Sequence, residues 1–411
     1  MYRPINPASA LFLVLLALFA GLPALATDMA LSATLAISQS IAAAPGDIGL
    51  TLTAFMIGFA ASPLVYGPLA DRLGRKPIIL CATGIFAIGG VGCAISVNLA
   101  GLLTWRLVQG LGAGASSALS ATIICDRFEG PAARAKMSYI SMMRLVAPLS
   151  APTIGSLLLH IHDWRLIYWV LAITGAVVCF AMWIGLEESF TPDDRNKLTF
   201  RQIANNYLAV LGSLNSVRFI GIASLSFACL FSYVSGSPLI MMGLYKLSPS
   251  EYGLTFAITA CGIFFGSFTN GRLNARRIPP YVPLSAGLAA ISAATLILLI
   301  SCLRSLPPLP IFLSLVALCT FSVGLIISNA QQLALEPLPR IAGVASAVIF
   351  SCQLGFGGLA GGLVSALHDG RSPSSTTISM ALCACLACAL YFGTRNKVNR
   401  LAPNASPQTP N

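Results

Sequence analysis

Twelve long apolar segments, separated by gaps that hold nearly all of the charge, constrain this chain more than any other feature. They lie near 9–34, 47–70, 77–97, 100–124, 137–160, 165–186, 217–244, 251–273, 279–303, 309–331, 341–367 and 373–394. A helix needs roughly 20 apolar residues to cross a bilayer, and in hydrocarbon only a helix or a closed barrel satisfies its own backbone. The chain is therefore expected to be an all-α membrane protein with twelve transmembrane helices. Only 9% of its 411 residues are charged, against about 25% in a soluble domain, so most of its surface must face lipid.

A net charge of +11 would suit nucleic acid if the cations shared one soluble face. They do not. With the N-terminus inside, eighteen of the 24 lysines and arginines fall in gaps or at span ends on the inner side and four on the outer, and Arg106 and Arg144 lie within spans. The asymmetry sets both termini in the cytoplasm. The lipid bilayer is the expected partner and nucleic acid is not. Arg3 and Ala24-Leu25-Ala26 imitate a cleaved leader, but apolar sequence continues beyond them, so the first run is read as a retained span. Residues 187–216, the longest polar stretch, read as a solvated linker between halves 1–186 and 217–396, with 397–411 a disordered tail. The cysteines lie in or beside spans, and Cys383, Cys385 and Cys388 scatter around a helix. No disulfide framework, metal site or other cofactor is expected. His160, His162 and His368 join no recognisable catalytic motif and there is no Walker loop, so the chain does not read as an enzyme or an ATP-driven pump.

Between the second and third spans runs Gly67-Pro-Leu-Ala-Asp-Arg-Leu-Gly-Arg-Lys-Pro77. Glycines permit a tight turn, Pro77 suits a helix start, and four charges fill the gap. Gly67, Leu69, Ala70, Asp71, Arg72, Gly74, Arg75 and Lys76 together resemble the signature loop between helices 2 and 3 of the major facilitator superfamily. Gly266 and Asn270 repeat the spacing of Gly67 and Asp71, a faded copy in the second half. The resemblance implies two six-helix halves that rock about a central site, a monomer, and a small-molecule substrate. It also implies that Asp71 sits near the start of the eleventh helix when the cytoplasmic side is closed.

Asp28 is the only acidic residue in the interior of any of the twelve segments, the others mapping to loops or helix ends. A charged side chain near mid-bilayer costs roughly 2.5–3.5 kcal/mol on insertion scales and faces a cavity or partner. Desolvation favours the protonated carboxyl and a nearby cation the ionised one, the balance a proton carrier needs. Thr27-Asp28-Met29 resembles the Bcr/CflA-type drug-resistance transporters, a branch of the drug–proton antiporters, although Ala30–Leu35 lacks the aromatic and both prolines usual there. Leu102, Arg106, Gln109 and Gly110 match the superfamily's helix 4 motif, whose arginine is implicated in proton transfer. Pro148, Pro152 and Gly155 resemble the helix 5 motif of exporters, and Phe231–Pro238 again looks like the Bcr/CflA branch. The resemblance thus implies inward proton flow driving outward export of drugs or other amphipathic molecules across the bacterial inner membrane. A metabolite would be exported by the same machinery. Asp28 and Arg106 are the expected proton-coupling pair. Gly67, Asp71, Arg72, Gly74, Arg75, Lys76, Pro148, Pro152 and Gly155 are the expected conformational residues, and Tyr233, Gln109 and Arg144 candidates for the cavity.

Overall fold

A backbone in lipid has to bond itself. The structure, a computed structural model, is helical in every regular element among the residues it describes, 9–128, 130–188 and 200–401. The first half contains α1 (Ala10–Asp28), α2 (Thr34–Ser40), α3 (Pro45–Leu73), α4 (Arg75–Ala94), α5 (Leu99–Arg127), α6 (Gly130–Ile161) and α7 (Arg165–Gly185). After α8 (Phe200–Gly212) follow α9 (Leu214–Pro238), α10 (Pro249–Ala275), α11 (Tyr281–Arg304), α12 (Leu309–Leu335), α13 (Ala342–Ala366) and α14 (Ser374–Leu401). Residues 1–8, 129, 189–199 and 402–411 are outside the described residues, and with them part of the expected linker and most of the expected tail.

Among the described residues, eleven helical stretches are long and apolar enough to span a bilayer. The expected fifth span is the 32-residue α6, whose apolar stretch is shorter, Val146–Ile161. Together they give the twelve crossings. The first crossing departs from its expected limits: it runs from Ala10 to Ser40, with a tight 3₁₀ turn at Ala30–Ala33 joining α1 to α2. The seventh passes from α9 into a wider π turn, Leu239–Leu244. Local sequence sets the starts. Ser9 and Asn98 cap α1 and α5, and Ser248 with Glu251 forms a capping box on α10. Pro45, Pro249 and Pro310 occupy the first turns of α3, α10 and α12.

Helices α1–α7 pack mainly among themselves, as do α9–α14, and the two groups meet where α3 lies on α13 and α6 on α10. Each group has a pair of helices in backbone contact. A methyl group on Gly58 of α3 would strike the Leu107 carbonyl, and one on Gly110 of α5 the Phe55 carbonyl. Between α10 and α12, Gly266 faces the Phe321 carbonyl and Gly324 the Ile263 carbonyl. Without a hydrophobic drive between helices in lipid, such close approach is what dispersion needs. The same device in both groups agrees with the duplication suggested by Gly67, Asp71, Gly266 and Asn270. Gly110→Val is expected to lower the thermal unfolding midpoint of detergent-purified protein, overpacking costing about 1–3 kcal/mol. Gly84→Val, which meets open space, is expected to leave the midpoint unchanged.

Candidate functional site

Asp28 is the last residue of α1, and the crossing continues for twelve residues beyond it, about 18 Å of helical rise. The acid therefore lies within the first crossing and not at the end of it. It is 7% exposed and lines a cavity of about 310 Å³ formed between the two groups of helices. Thr27 and Asp28 of α1 face Tyr233 of α9, Thr259 of α10 and Thr320 of α12 across it. Phe59, Phe227, Phe231, Phe256 and Phe350 supply the aromatic part of the remaining, apolar wall.

The break beside Asp28 is matched by α6. A methyl group on Gly155 would strike the Met29 carbonyl and the Ser32 hydroxyl, so α6 lies directly on the 3₁₀ turn. Pro148 lines the cavity, and Pro152 is buried between it and Gly155. Each proline removes one helix bond. These three sequence-selected residues thus shape the wall beside the acid. The side chain of Arg144 lies outside the described residues.

Arg106 is 1% exposed, yet no ion pair joins it to Asp28 among the described residues. Its Nη1 donates to the Ala26 carbonyl at 3.0 Å and to Gln109 Oε1 at 2.9 Å. The guanidinium lies 4.6 Å from the centre of the Phe55 ring and 5.7 Å from that of Tyr168. The cation is held by a carbonyl, an amide and two ring faces, two residues away from the acid along α1. Gln109 is fully buried with Arg106 and does not line the cavity. Tyr233 does line it, and its hydroxyl lies 2.7 Å from Thr259 Oγ1.

On the face that carries Gly74, Arg75 pairs with Asp71 at 2.5 Å and with Asp126 at 3.2 Å. Glu188 accepts the backbone N–H groups of Arg75 at 2.9 Å and Lys76 at 3.1 Å, satisfying two open donors at the start of α4. Gly74 has φ +95°, and a methyl group there would collide with the Glu188 carboxylate. Both facts require glycine. The acids at 187 and 188 had read only as linker charge. Nothing local distinguishes Glu188 from a solvated acid, because its partners are 113 and 112 residues away. Arg72 is exposed, and Gly67 borders a second cavity of about 820 Å³. Asp71 and Arg75 line that cavity with Arg340, Ile341 and Gly343 from the start of α13, so Asp71 engages Arg75 while facing α13 across open space. Phe350 borders both cavities, its ring edge-to-face with that of Phe59 and the ring centres 5.6 Å apart.

The opposite face is closed. A methyl group on Gly46 would meet the Ser365 carbonyl, Gly361 packs on Ser235, and Gly362 packs on Thr53. His160 Nε2 lies 3.0 Å from Ser250 Oγ, joining α6 to α10.

A family model described as Major Facilitator Superfamily matches residues 10–362. The bicyclomycin resistance protein homologue of Haemophilus influenzae is 28% identical over 386 residues, 93% of this chain and 95% of that protein. Multidrug resistance protein D of Escherichia coli is 27% identical, covering 93% and 96%. The fold superposes on a bacterial homologue of the human lysosomal transporter Spinster in an inward-facing, occupied conformation. That match has a TM-score of 0.74 at 18% identity and covers 98% of this chain and 99% of the other. Glu188→Ala is expected to uncap α4 at a cost of about 1 kcal/mol, seen as a lower unfolding midpoint and faster amide exchange at Arg75 and Lys76.

Proposed function

Because the chain belongs to the Major Facilitator Superfamily, we propose that it exports small amphipathic molecules, drugs among them, across the bacterial inner membrane in exchange for protons. The observation that carries this reading is Asp28, a buried acid at a helix break, opening onto a cavity walled by both groups of helices. The names of the bicyclomycin and multidrug resistance relatives support the export of drugs.

In this reading the halves are residues 1–186 and 217–396, the chain works as a monomer, both termini are cytoplasmic, and the Gly74 face is the cytoplasmic one. The larger cavity would be the inner vestibule, and the packed glycines of α3 and α13 the closed outer gate. Rocking of the halves would open the outer gate and bring Asp71 to the start of α13. There the helix dipole favours a carboxylate by roughly 0.3–1 kcal/mol. Arg75 would hand Asp71 over between the two states. Asp28 would take a proton from outside and lose it inside, and the change of charge would alter what the cavity holds. Arg106, through the Ala26 carbonyl, would keep α1 in register while this happens.

Flux in proteoliposomes tests the coupling. Wild type is expected to release protons when an amphipathic dye is added to a loaded vesicle and to lose dye along an imposed pH gradient. Asp28→Asn is expected to abolish both while still folding; gradient-driven flux equal to wild type would sink the proposal. Asp71→Asn is expected to slow transport severalfold with membrane insertion intact.

A further inference from the structure

The exposed side of α10 changes from rings to cations at one end. Phe264 and Phe268 are exposed, and their rings stack with centres 6.4 Å apart. Four residues beyond Phe268, the Arg272 guanidinium lies 4.7 Å from the centre of its ring. Arg276 stands four residues further on and Arg277 beside it, and all three arginines are exposed. Phe264, Phe268, Arg272 and Arg276 thus follow one ridge of the helix. Because α10 starts on the closed face, where Ser250 meets His160, this end lies on the Gly74 face with the larger cavity. Two of its features are unfavourable by themselves. Arg272 and Arg276 are an i, i+4 pair of like charge. Arg277 has φ +57° and ends the helix, donating to the Asn274 carbonyl at 2.9 Å while Ile278 donates to that of Leu273 at 3.2 Å. That ending ordinarily places glycine at the left-handed residue, where a side chain is strained. The helix dipole favours cations here, but it gives no reason for an arginine at the strained position. Glu336 follows α12 at the same end of the bundle, yet no ion pair joins any acid to the three arginines among the described residues.

We infer that this ridge binds an anionic phospholipid, its phosphate bridging Arg272 and Arg276 and its acyl chains lying along Phe268 and Phe264. A guanidinium meets a phosphate in a bidentate fork, so one phosphate turns the repelling pair into a bridged one. Arg277 adds a third cation at headgroup level, which gives the strained arginine a use that glycine could not serve. The cations continue an exposed apolar surface and do not line a pocket, so the ligand they fit has an apolar tail directly below its charge. Arginines beside a membrane span attract anionic leaflets in the same way. The site goes beyond transport: it ties α10 to one leaflet according to lipid charge, whatever molecule the chain carries.

The test places a reporter on the ridge. Full-length protein carrying Phe268→Trp is reconstituted with phosphatidylglycerol or phosphatidylcholine whose acyl chains are brominated, because bromine quenches an indole it touches. The four native tryptophans all precede α8, and the unsubstituted protein supplies their background. Phosphatidylglycerol is expected to occupy the position about tenfold better than phosphatidylcholine, as two charge contacts near the surface imply. Arg272→Gln together with Arg276→Gln is expected to abolish that preference, and Arg304→Gln, at the end of α11 on the other face, to leave it unchanged. Arg277→Gly relieves the left-handed position, so it is expected to raise the unfolding midpoint in phosphatidylcholine while lowering the preference for phosphatidylglycerol. Equal occupancy by the two lipids with all arginines present overturns the inference, as does a preference that neither arginine variant lowers. Loss of the preference on adding glycerol phosphate to the buffer overturns it too, since a soluble phosphate would then be the ligand.

Discussion

No water reaches a peptide group in hydrocarbon, so each departure from the helix has to be covered by protein. That constraint explains where this chain permits breaks. Pro68 has no N–H for the Leu64 carbonyl, and the Tyr207 hydroxyl of α8 fills the place at 3.1 Å. Pro238 likewise strips the Val234 carbonyl, which Ser237 takes at 2.9 Å. The 3₁₀ turn after Asp28 is covered by α6, which only a glycine at 155 lets close enough. Backbone repairs and the candidate site therefore coincide, because the breaks lie where helices of different halves face a cavity instead of lipid.

The treatment of charge follows the same logic. Arg106 would be ruinous alone in a low dielectric, and here a carbonyl, an amide and two rings hold it. An arrangement without a carboxylate leaves Asp28 without an ion pair among the described residues and facing the cavity. At the Gly74 face, where water is near, the opposite solution appears: Asp71, Arg75 and Asp126 pair directly. In α10 and α12 the corresponding contact is uncharged, with Asn329 Nδ2 donating to Asn270 Oδ1 at 2.6 Å. The second half keeps the spacing of the loop motif without its ions, so the ionic contact is a feature of one half only.

The number of crossings and the singular status of Asp28 were legible in the sequence. Each is set by local content, that is, a run of apolar residues or a charge where charge is costly. Gly110 and Gly155 were legible as members of helix motifs, and the structure gives each a close backbone approach. What escaped were contacts between residues distant in the chain. Glu188 looked like any linker acid, Gln109 looked like a cavity residue and packs on Arg106 instead, and α1 read as ending near residue 34 although the crossing continues to Ser40.

Sequence alone determined that this polymer must live in a bilayer as helices and that one acid had to find shelter there, because hydration costs act residue by residue. Only the tertiary structure decided what that shelter is. The partner of each buried cation and the face left open depend on which helices meet. That is settled by packing across more than a hundred residues of chain, which no local pattern encodes.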